Sequence, residues 1–105
     1  MYKLVFFVPE SHLEPVKTAL FNAGAGSMGN YDQCCWQIAG IGQFRPLLGS
    51  QPFIGQTQQL ERVTEYRVEM VCDDSLIKAA VTALRAVHPY EEPAIDVWRL
   101  AELEP

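Results

Sequence analysis

The sequence predicts an α+β fold of βαββαβ order, with a four-stranded antiparallel sheet carrying two helices on one face. Three observations predict it. A β-branched and aromatic run opens the chain, two amphipathic helical patterns are interleaved with strand patterns, and a stretch of strict two-residue alternation lies between them. With 105 residues, 49% of them hydrophobic and 20% charged, the chain suits one domain, residues 1–105, around one core.

The first strand is Tyr2 to Val8. Both of its alternation sets, Tyr2, Leu4, Phe6, Val8 and Val5, Phe7, are mostly apolar, which predicts burial on both faces. After Pro9, the run from Ser11 to Ala23 places Leu13, Val16, Leu20 and Ala23 at three- and four-residue spacings, and Gly24 follows as a C-terminal cap. A glycine-dense turn over residues 24–30 leads to a second strand, Tyr31 to Ile41, with Tyr31, Trp36 and Ile38 as strand formers. From Gly42 to Leu60 no regular period survives.

Strict alternation returns over Glu61 to Cys72: Tyr66, Val68, Met70 and Cys72 face one way, and Glu65, Arg67 and Glu69 the other. Asp73-Asp74-Ser75 offers N-cap oxygens to a second helix, on which Leu76, Ile77, Ala80, Val81, Leu84 and Val87 share a face. Proline at 89 disfavours a helical His88, and proline at 93 lacks the amide proton of a central strand, so the last strand spans Ala94 to Leu100. Right-handed crossovers place both helices on one side of the sheet, a ferredoxin-like arrangement. Val5, Phe7 and Trp98 or Val97 cannot all lie under two helices. Some apolar residues are therefore expected on the open side, where an oligomer would bury them.

Charge and composition exclude several function classes. A net charge of −5, a pI near 4.9 and no basic cluster argue against nucleic acid and anionic membranes as partners. No apolar run reaches the roughly 18 residues of a membrane helix, and the opening run meets Pro9 and Glu10 too early for a secretory signal. Three cysteines without disulfide-scaffold or zinc-knuckle spacing suit a reducing, cytoplasmic setting. The glycines of residues 24–29 precede a strand and no lysine-serine or lysine-threonine follows, so they are not read as a nucleotide loop.

Four motifs carry a resemblance. Gly24-Ala25-Gly26-Ser27-Met28-Gly29-Asn30-Tyr31-Asp32-Gln33-Cys34, Gly40-Ile41-Gly42-Gln43-Phe44-Arg45-Pro46, Pro52-Phe53-Ile54-Gly55 and His88 to Val97 together resemble, in order, the YqfO-type domain. In larger members of the Ngg-interacting-factor, dinuclear-metal-centre family this domain is inserted between two metal-holding lobes. The resemblance implies the fold of PII signalling proteins and of CutA, which carries a similar His-Pro-Tyr-Glu turn. Those lobes are absent, and the chain's two histidines, His12 and His88, are too few for a dinuclear centre. The parent family's chemistry is therefore not carried over. What the resemblance implies is the accessory module standing alone as a homo-oligomer, a trimer rather than a dimer.

The candidate site residues follow from these motifs. His88, at a helix C-terminus whose dipole favours its protonated form, would join Tyr90, Glu91 and Glu92 in holding a small ligand. With Glu91, and with Cys34 if the fold brings it near, His88 would coordinate a divalent metal such as copper or zinc. The plainer alternative is a structural turn in which imidazole and phenol bond to the backbone. Cys34 and Cys35, adjacent on a strand, cannot jointly chelate an ion, and Cys34 beside Trp36 and Ile38 reads as a small buried residue. In the 42–60 segment Arg45 is the sole charge; the PII resemblance makes Arg45 a ligand contact, and Phe44, Phe53 and Ile54 contacts to a partner or a neighbouring subunit. Alternatively, Phe53 and Ile54 anchor an ordered arm on the chain's own oligomer.

The expected function is a non-catalytic PII/CutA-like oligomer that senses or binds a divalent metal or small ligand at subunit interfaces. The alternative is an assembly module docking a protein partner through the 42–60 loop without intrinsic ligand. An enzyme using His88 beside Glu91 lacks a nucleophile, oxyanion donor or cofactor signature.

Overall fold

In the computed structural model, which describes residues 1–103, the elements are β1 (Tyr2–Pro9), a single 3-10 turn (Glu10–His12), α1 (Leu13–Asn22), β2 (Trp36–Phe44), β3 (Glu61–Cys72), α2 (Ile77–Val87) and β4 (Ile95–Arg99). Residues 104 and 105 of the expected 1–105 domain lie outside the described residues. The four strands form one antiparallel sheet in the order β2-β3-β1-β4, so the βαββαβ reading of the sequence holds.

Register decides which residues meet the helices. Leu4, Phe6 and Val8 of β1 lie beside Met70, Val68 and Tyr66 of β3, and this face packs on Leu13, Val16 and Leu20 of α1 and on Ala80 and Leu84 of α2. The opposite face carries Lys3, Val5 and Phe7 beside Val71, Glu69 and Arg67, with Trp36 and Ile38 of β2 and Trp98 of β4 in the same rows. Val97 is in register with Leu4, so of the two residues expected there it is Trp98 that takes the open side. Val5 is fully buried although no helix covers it. Lys3–Glu69 and Arg67–Glu69 ion pairs and the Arg67 guanidinium over the Phe7 ring partly roof that face.

The end of α1 forms as its glycine predicts. Gly24 adopts φ +96°, its amide donates to the Phe21 carbonyl and the Ala25 amide to that of Leu20, closing a Schellman cap. Pro15 is accommodated in the first turn, where its missing N–H has no helical partner to lose.

Two boundaries, one cap and two environments differ from expectation. β2 begins at Trp36, not Tyr31, because Gln33 turns left-handed at φ 55° and Met28 and Tyr31 close on one another in an isolated bridge. It continues to Phe44, so the irregular segment is 45–60, not 42–60. Asp73 accepts from the amide and hydroxyl of Ser75, closing a turn ahead of α2, and no side chain caps the helix itself. Cys34 is half-buried in the approach to β2, its thiol near the Asp32 carbonyl, and is not a core residue. Its neighbours in sequence, Trp36 and Ile38, stand exposed on the open face, since both helices pack on the opposite face of the sheet and β2 lies at its edge.

Candidate functional site

The turn from α2 to β4 is built around His88. Pro89 holds His88 extended at φ −63° and ψ 133°, and this ends α2 and directs the ring into the protein beside the end of β1. There the imidazole is buried between two backbone groups of opposite kind. A carbonyl can only accept and an amide can only donate, so Nε2–H donates to the Phe7 carbonyl at 2.7 Å and Nδ1 accepts from the Tyr90 amide at 3.1 Å. Both nitrogens are used, and the ring is neutral.

Burial pushes the His88 pKa below its ordinary value, outweighing the Phe7 carbonyl and the negative charge of Glu65, which act in the opposite sense. The helix dipole expectation is thus corrected: desolvation decides the charge. Nor does the structure bring the expected metal ligands together within one chain. His88 has no free nitrogen, and Cys34 hydrogen-bonds to Gly26, whose own amide reaches Val71 opposite Lys3. That is four residues of β1 away from Phe7, about 13 Å along the strand. Among the described residues no three His, Cys, Asp or Glu side chains converge as a metal would require.

Tyr90 leaves this anchor and crosses to the open face of the sheet, where its hydroxyl donates to Glu65 Oε2 at 2.8 Å. Burial and the neighbouring carboxylate hold its proton far more tightly than in a free phenol. Glu65 can lie flat against β2 because Gly42 has no side chain; a Cβ there would fall on its carboxylate. Phe44 and Phe53 flank Tyr90 with ring centroids 6.4 Å and 6.5 Å away, and His88 packs against the same ring at 4.9 Å.

The 45–60 segment folds back over this end of the sheet as an ordered arm. Gln51 donates its amide to Glu91 Oε1 at 3.0 Å, the Gln58 amide reaches the Pro46 carbonyl, and Phe53 meets the His12 ring edge-on at 5.3 Å. Between arm, turn and sheet lies a cleft of about 450 Å³. Its walls include Arg45, Phe44, Phe53, Ile54, Tyr90, Glu91 and Glu92, so all but His88 of the ligand-contact residues expected from sequence, and all of the partner-contact residues, meet in one place. His88 supports this cleft from beneath Tyr90.

Phe7 and Glu65 also line the cleft and are not among the site residues expected from sequence. Glu65 reads there as one of three polar residues on a half-exposed strand. The available signal was Gly40 and Gly42, but only the register Gly40↔Glu65 shows that glycines oppose that carboxylate. Ser50, a further wall residue, donates its hydroxyl to the Leu47 carbonyl and so is not paired with a base that would activate it.

No family model matches the chain. It is 45% identical over 98 residues to a Mycobacterium leprae protein described as a GTP cyclohydrolase 1 type 2 homolog, an alignment covering 93% of this chain and 26% of that protein. A Bacillus cereus protein related to NIF3 superposes with a TM-score of 0.82 at 42% identity, over 96% of this chain and 26% of the other. CutA from Xylella fastidiosa superposes with a TM-score of 0.70 at 20% identity, covering 99% of this chain and 86% of that one, which shows a shared fold. The chain spans about a quarter of the length of the curated relatives it matches.

Proposed function

The chain belongs to the YqfO-type PII/CutA-like domains, and on that premise we propose that it is a non-catalytic binding module that takes a small ligand in the arm cleft. The observation that carries this reading is the convergence of the arm and the His88–Pro93 turn on one cavity with apolar walls and a few polar groups. Three free thiols suit the cytoplasm as its setting. Copies of the chain associate through the open sheet face, as a trimer, and bring their clefts into one assembly.

Binding is tested by titrating small polar aromatic fragments into the labelled protein and following its amide resonances. Shifts confined to residues 43–54 and 90–94 and lost in Phe53→Ala support the reading; a screen in which no fragment moves those amides sinks it.

A second reading, docking of a protein partner through the arm, is favoured by Leu47 and Leu48, which are 59% and 78% exposed. It predicts that Leu48→Asp abolishes capture of the partner while fragment binding in the cleft persists.

A further inference from the structure

Resting on the reading of the cleft as a ligand site, we propose that its ligand presents an organic cation, an alkylated ammonium group, to the rings of Phe44, Phe53 and Tyr90. The three rings line one cavity, with Tyr90 between the two phenylalanines. Aromatic faces carry negative quadrupole potential and attract cations that shed water easily, and a cage of such faces is how proteins hold quaternary ammonium groups.

Charge points the same way. The cavity wall holds three carboxylates, Glu65, Glu91 and Glu92, against one guanidinium, Arg45, in a chain of net charge −5. An anionic ligand would have to enter against that field. A bare metal ion is the wrong kind of cation here. Glu65 and Glu91 already accept hydrogen bonds from Tyr90 and Gln51, and phenyl walls cannot replace the hydration shell of a hard ion. An alkylated ammonium needs no ligand oxygens, only apolar and aromatic surface with carboxylates nearby.

The experiment compares choline with 3,3-dimethylbutan-1-ol, its neutral isostere, by titration against amide resonances of the full chain at matched ionic strength. Choline is expected to shift residues 43–54 and 90–94, with the isostere weaker by roughly tenfold or more. Phe53→Leu keeps apolar bulk but removes a ring, so it is expected to weaken choline several-fold and leave the isostere unchanged. Phe44→Leu serves the same purpose should Phe53→Leu fold poorly. Arg45→Gln, which removes the like charge, is expected to tighten choline binding.

Equal binding of the two probes in the cleft overturns the cation inference and leaves the cleft as a ligand site. Absence of choline shifts in the cleft also overturns it, and the fragment screen then judges the cleft independently.

Discussion

At the residue scale, His88 is a structural group whose chemistry is used for holding the chain. Its neutral ring links the end of β1 to the Tyr90 amide, and protonation of Nδ1 would set two donors against each other. Removing the ring leaves the Phe7 carbonyl without its partner, so His88→Ala is expected to cost about 1–3 kcal/mol in urea denaturation at neutral pH. The pH dependence has a definite sign. Because the folded-state pKa is depressed, the unfolded chain takes up the proton first, and the stabilisation present above the ordinary value of 6.5 is lost as pH falls below it. His88→Gln should flatten the stability curve in that window, and an unchanged slope would remove His88 as its source. The sequence made the turn legible through Pro89 and Pro93. It could not reveal the ring's partners, because Phe7 is distant in sequence and joins the site only through sheet pairing.

At the element scale, the arm of residues 45–60 shows what sequence patterning can and cannot see. β1, β3, α1 and α2 were legible because each buries a periodic face against the others. The arm has no period, and it is held by point contacts: the Gln51 amide on Glu91, Phe53 between His12 and Tyr90, and the turn at Pro46. β2 is hard to bound from sequence for a related reason: none of its residues is fully buried, so no apolar alternation marks where pairing stops. Few contacts mean low local stability, so the arm should open without the core. Glu91→Ala combined with Phe53→Ala is expected to raise amide exchange over residues 47–58 by at least an order of magnitude while leaving β1 and β3 protected. Exchange rising equally in all strands would show that the arm and sheet unfold as one unit.

At the scale of the whole molecule, shape and surface both point to self-association. The chain measures 52 × 22 × 21 Å with a radius of gyration of 15.0 Å, against about 13 Å for a compact chain of similar length. β2 is an edge strand with Trp36, Ile38 and Ile41 each more than half exposed, an arrangement that invites pairing with another chain. The ion pairs centred on Glu69 and the Arg67–Phe7 contact cover the middle of the open face, leaving Trp36 and Trp98 exposed toward opposite edges. These are the chain's two tryptophans, so tryptophan fluorescence, excited selectively at 295 nm, reports on this face alone. If copies meet there, emission should shift to the red on dilution, in step with a fall in sedimentation coefficient from a trimer to a monomer. Ile38→Glu places a charge in that exposed patch and should give a monomer with red-shifted emission at every concentration. The same substitution leaves the cleft walls intact, so fragment binding in the Ile38→Glu monomer would mean that one chain completes the site. Loss of both together would mean that the neighbouring copy supplies part of it. A wild-type chain that sediments as a monomer at all concentrations would remove the open face as an interface between copies.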